Sequence, residues 1–89
     1  MAQVYFTARL RAVVAASPVE AAGQTVGEAL AAVFAENPQA EGYVLDEQGA
    51  LRQHVCVFLD GVRLPNDNAL QEPLREGAEI YVMQALSGG

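Results

Sequence analysis

The chain has no lysine, one cysteine and one histidine, and it carries few cations of any kind. All five basic residues are arginines, Arg9, Arg11, Arg52, Arg63 and Arg75, against eleven acids, for a net charge of −6. Nucleic-acid binding is excluded on that ground, because neutralising phosphates takes clustered cations. A lone Cys56 allows neither an intrachain disulfide nor a cysteine-cluster metal site, which suits a reducing compartment. No apolar run approaches the roughly 20 residues of a membrane helix, and "MAQVYFTARLRAVV" lacks the basic start and unbroken apolar stretch of a leader. A location in the cytoplasm, away from membranes, is therefore expected.

At 89 residues, 52% of them hydrophobic and 18% charged, the chain can bury one core and is neither disordered nor two domains. Val4, Phe6, Ala8 and Leu10 alternate with Gln3, Tyr5, Thr7 and Arg9, a period of two that predicts a half-buried strand over 4–10. "SPVEAAG", bounded by Pro18 and Gly23, predicts a short second strand paired with the first after a loop at 11–16. In "TVGEALAAVFAENP", Thr25 is placed to cap a helix, Glu28 completes a capping box and Pro38 stops propagation after Asn37. Its stripe of Val26, Leu30, Val33 and Phe34 must pack on a sheet. Residues 39–53 read as a loop with one helical turn near Tyr43 to Leu45.

"HVCVFLDGVRL" predicts a strand from Val55 to Leu59, a tight turn at Asp60-Gly61 and a return strand from Val62 to Leu64. The first of these is nearly continuously apolar, as in a strand covered on both faces or one whose outer face meets a partner. "PNDNALQEPLREG" is a connection pinned by Leu70 and Leu74, and "AEIYVMQ" is the last strand. Strand, strand, helix, strand, strand, strand describes an α+β domain: a mixed sheet of four to five strands with one main helix across one face. Residues 1–84 form the single domain, and 85–89 form a flexible tail ending in Gly-Gly.

Chemistry inside the domain is sparse. His54 has no partner at metal-ligand spacing and reads as structural, and no cation or helix N-terminus near Cys56 in sequence would lower its pKa. No Gly-rich loop leads from a strand into a phosphate-binding helix. The tail remains. Glycine lacks a Cβ, so Gly88-Gly89 can thread a narrow channel and deliver the last carboxylate to another protein's reactive centre, while Leu86 anchors by packing. An α-carboxylate with a pKa of about 3.5 is ionised at neutral pH and is a poor electrophile, so it needs activation, for example as an acyl-adenylate.

"TVGEAL", "HVCVFLDGVRL", "PLREGAEIYVM" and the terminal "GG", in that order, resemble the ThiS/MoaD family of ubiquitin-like sulfur carriers, whose fold is the β-grasp. The resemblance implies a protein cosubstrate rather than an enzyme. It would bind no cofactor itself; ATP would be used by an adenylyltransferase partner resembling ubiquitin-activating enzymes. Gly89 would be adenylated and then converted to a thiocarboxylate with sulfur from a donor, and Gly88 would give access. The sulfur would pass to an accepting synthase of the molybdopterin, thiamine or cysteine type. Ser87, where many molybdopterin-branch relatives have alanine, speaks against that branch, and the segment around 40–53 looks more like the longer carriers. Three other readings stand beside this one: a modifier conjugated through Gly89, the small subunit of a synthase, and an interaction module with an idle tail.

Strand parity places Val4, Phe6, Val55, Val57, Leu59, Ile80 and Val82 toward the helix. Tyr5, Cys56, Phe58, Tyr81 and Met83 then share the opposite face, a docking patch for the activating partner in which Tyr5, Phe58, Tyr81 and Met83, with Leu86, would make the contacts.

Overall fold

Alternation sets the first strand, β1 (Ala2–Phe6): Ala2, Val4 and Phe6 are buried, while Gln3 and Tyr5 stay half-exposed. A computed structural model describes residues 1–14 and 18–84 of the chain; Leu86, Ser87, Gly88, Gly89 and the rest of the expected tail lie outside the described residues. β1 is shorter than the predicted 4–10. After Thr7 the backbone winds into a 3-10 helix over Ala8–Val13, where the Leu10 N–H donates to the Thr7 carbonyl at 3.1 Å. Leu10 is fully buried all the same. An apolar residue that must reach the core can do so from a tight turn as well as from a strand, and period two alone cannot separate the two.

The short strand β2 (Val19–Ala21) pairs antiparallel with β1, as expected, with Val4 opposite Val19 and Ala2 opposite Ala21. Helix α1 (Val26–Glu36) begins where its cap predicts: the Glu28 N–H donates to Thr25 Oγ1 at 3.2 Å. The reciprocal half of the box is shifted by one residue, since Glu28 Oε1 accepts from the N–H of Gln24 rather than of Thr25, at 2.8 Å. The stripe of Val26, Leu30, Val33 and Phe34 is buried, joined by Ala29.

Pro38 ends α1 and also starts a second helix, α2 (Pro38–Val44), where the sequence suggested loop. A proline lacks the N–H that the first turn of a helix leaves unpaired, so the residue that stops one helix can open the next. Gly42 disguises α2 by lowering its propensity; burial of Ala40 and Val44, one turn apart, outweighs that cost.

Strands β3 (Val55–Leu59) and β4 (Val62–Leu64) lie where predicted, joined by Asp60 and Gly61 with φ of 50° and 88°. Both values are left-handed, as a two-residue hairpin turn with the sheet's own twist requires. Ala69 is buried in a 3-10 turn over Ala69–Gln71, with Leu70 and Leu74 packed against the core beside it. The last strand, β5 (Glu79–Gln84), inserts between β1 and β3, giving the order β2-β1-β5-β3-β4. It runs parallel to β1 and antiparallel to β3.

The result is a mixed five-stranded sheet with two helices, the ubiquitin-like β-grasp. Among the described residues every buried side chain is apolar.

Candidate functional site

The parity read from the strands holds in space. Val4, Phe6, Val55, Val57, Ile80 and Val82 are buried on the core face, with Leu59 partly buried against them. Tyr5, Cys56, Phe58, Tyr81 and Met83 are all half-exposed, so the other face of the sheet stays open to solvent.

Strand order then does what parity cannot. Because β5 lies between β1 and β3, Tyr81 is the pairing partner of both Tyr5 and Phe58, and Phe58 is in turn opposite Arg63. Three aromatic side chains and one arginine therefore form a single row across four strands. The Tyr5 and Tyr81 rings are stacked, with centroids 4.4 Å apart and planes at 5°. Partial burial raises the pKa of the Tyr5 phenol above 10.0, and the negative charge of Glu79 and the Tyr81 ring add to the effect. Arg63 was missed by the sequence reading, although the signal was present: a two-residue turn at 60–61 fixes the hairpin register and sets residue 63 opposite residue 58.

Next along the face, Met83 pairs with Cys56, and Gln84 pairs with Val55. The open face thus runs to the end of β5 at Gln84. The opposite end of the face is acidic. Gln3 lies between Glu20 and Glu79, and its Nε2 donates to Glu20 Oε2 at 3.1 Å. Asp60 closes that end: Oδ1 accepts from the Glu79 N–H at 3.0 Å and from Arg75 Nη2 at 3.1 Å, and Oδ2 accepts from Arg75 Nε at 3.2 Å. The Glu79 N–H is the largest cause holding the Asp60 carboxyl below 3.8; some burial opposes it, and the Arg75 charge reinforces it.

His54, half-exposed beside β3, and Cys56 belong to no metal-type cluster; no group of three or more His, Cys, Asp or Glu able to hold an ion occurs among the described residues. No described helix is long and apolar enough to cross a membrane.

The ThiS family model matches residues 4–89, almost the whole chain and through its final glycine. The chain belongs to the ThiS family. Small archaeal modifier protein 1 from Haloferax volcanii is 29% identical to this ThiS-family chain, over 99% of this chain and 98% of that one, with a TM-score of 0.80. A chain of the BexX/CysO complex from Amycolatopsis orientalis aligns over 100% of both chains with a TM-score of 0.86 at 21% identity. Urm1 from Trypanosoma brucei aligns over 99% of this chain and 94% of that one, at a TM-score of 0.76 and 14% identity. The last two share the fold. No curated protein is a significant match. The family sets this protein among sulfur carriers and ubiquitin-like modifiers, which are in general protein substrates rather than catalysts.

Proposed function

We propose that this ThiS-family protein is a sulfur carrier whose reacting group is the α-carboxylate of Gly89. The observation that carries this reading is that β5 bears both the centre of the aromatic row, Tyr81, and the start of the tail, within a family match that runs through residue 89. A partner gripping Tyr5, Tyr81, Phe58 and Met83 holds a rigid platform from which residues 85–89, at most about 17 Å when extended, reach its active centre. Leu86 packs at the channel entrance, and Gly88 and Gly89 pass where a Cβ would clash.

On that partner, an adenylyltransferase of the ubiquitin-activating type, a Gly89 carboxylate oxygen attacks the α-phosphorus of ATP; an O–P bond forms and pyrophosphate leaves. Hydrosulfide from a sulfur donor then attacks the acyl carbon. A C–S bond forms, AMP departs, and the proton of the hydrosulfide is released, leaving a thiocarboxylate for an accepting synthase. The acidic surface of the chain, at −6 overall, suits a partner with basic rims in the cytoplasm. The domain proper is 1–84, and 85–89 supplies the reacting terminus.

Incubation with the adenylyltransferase, ATP and a sulfur donor is expected to replace one oxygen by sulfur at Gly89 in the intact mass. An unchanged mass, together with a pathway that tolerates deletion of Gly89, would sink the proposal. The 29% identity to a protein named as a modifier favours a second reading, conjugation through Gly89 to target amines, for which lysine-linked adducts in cells are the sign.

A further inference from the structure

We infer that the chain is built so that its own activated terminus finds no amine to acylate. The inference rests on activation at Gly89, and it concerns what the activated form does not do. An acyl-adenylate or thioester is attacked by a neutral amine: a C–N bond forms, AMP or thiol leaves with its electron pair, the amine loses a proton, and the resulting amide ends the reactivity of the terminus. A side chain that could do this is lysine, and the sequence has none; its five cations are guanidinium groups, protonated at any physiological pH and not nucleophilic.

The topology removes the α-amine as well. β1 and β5 are parallel, with Gln3 opposite Glu79 and Phe6 opposite Val82, so the amino end of β1 lies at the end of the sheet remote from the tail. The Gly77 N–H donates to the Met1 carbonyl at 3.0 Å, which fixes Met1 at the level of residue 77, and the Met1 amine is ion-paired with Glu76. From Gln84 back to that level is about 20 Å or more along the strand, and the five residues of the tail span at most about 17 Å. Cys56 is within reach, one strand away beside Met83. An acyl shift to a thiol exchanges one thioester for another, however, and keeps the terminus activated. Arginine in place of lysine thus preserves the activated terminus for an external nucleophile.

The test uses the full chain carrying a chemically installed Gly89 thioester, so its outcome does not depend on the activating partner or on whether that partner accepts this protein. Arg11 follows β1 in the 3-10 helix at the Gln84 end of the sheet, and the Arg52 carbonyl accepts the Val55 N–H beside Gln84, so both sites are close to where β5 ends. The unsubstituted chain is expected to revert only by hydrolysis. Arg11→Lys and Arg52→Lys are expected to yield a monomeric product lighter than the free acid by one water and resistant to hydroxylamine, as an amide is and a Cys56 thioester is not. A hydroxylamine-resistant product from the unsubstituted chain, or its absence from both the Arg11→Lys and Arg52→Lys variants, would overturn the inference.

Discussion

Tyr5 and Tyr81 stack across the parallel pair β1 and β5, their centroids 4.4 Å apart, on the face of the sheet that no core residue shares. Phe58 is the pairing partner of Tyr81 on the next strand, and a row of aromatics offers a partner large area at low conformational cost. Phe58→Glu puts a carboxylate in the middle of it. On the proposed function, the KM of the activating adenylyltransferase for this protein is expected to rise at least about tenfold, equivalent to about 1.4 kcal/mol, with the unfolding free energy changed by less than about 1 kcal/mol. An unaltered KM would remove the open face as the docking surface.

Tyr5 also sets an alkaline limit. Its pKa is higher in the folded chain than the ordinary 10.0, so above pH 10 the unfolded chain releases the phenolic proton more readily than the folded one. Its contribution is fully present below that pH and is lost as pH rises through the folded value. Urea unfolding above pH 10 should therefore show falling stability, and Tyr5→Phe should flatten part of the fall.

At the acid side the sign reverses. The Asp60 pKa is held below 3.8 by the Glu79 N–H first and the Arg75 charge after it, so its contribution is present above the unfolded value and lost as pH falls through the folded one. Asp60→Asn keeps a residue that tolerates the φ of 50°. It is expected to reduce the dependence of the thermal midpoint on pH below about 4; an undiminished dependence would remove the Arg75 and Glu79 contacts as its source.

Helix propensity and packing disagree at Gly27, and the outcome decides between them. Alanine in a helix interior is favoured over glycine by about 1 kcal/mol, and at Gly27, the second residue of α1, propensity favours it in the same direction by less. A Cβ at Gly27, however, would lie 2.9 Å from the Leu70 carbonyl oxygen and 3.3 Å from Leu70 Cβ, in the 3-10 turn that packs on α1. Gly27→Ala is therefore expected to lower the thermal midpoint; a rise would show that the turn yields freely.

Much of the core was legible because side-chain periodicity is local. Val55 and Val57 face inward and Cys56 and Phe58 outward simply because a strand alternates, and Thr25 caps a helix wherever a helix follows it. What failed did so where two local structures satisfy the same pattern. Leu10 reaches the core from a 3-10 turn, and Ala40 and Val44 do so from a helix whose proline and glycine read as loop. The Arg75 contacts with Asp60 join residues 15 apart in sequence and left no local trace.

The sequence by itself determined which side chains are apolar at which period, where the helix cap and the tight turn fall, and that no lysine amine exists anywhere in the chain. Only the tertiary structure decided that β5 lies between β1 and β3, which brings Tyr5, Tyr81 and Phe58 into one row, and that β5 runs parallel to β1, which sets Gln84 and Met1 at opposite ends of the sheet. Periodicity is fixed within a few residues by the geometry of the backbone. Strand order is a choice among distant pairings, made by which arrangement buries the whole apolar face at once.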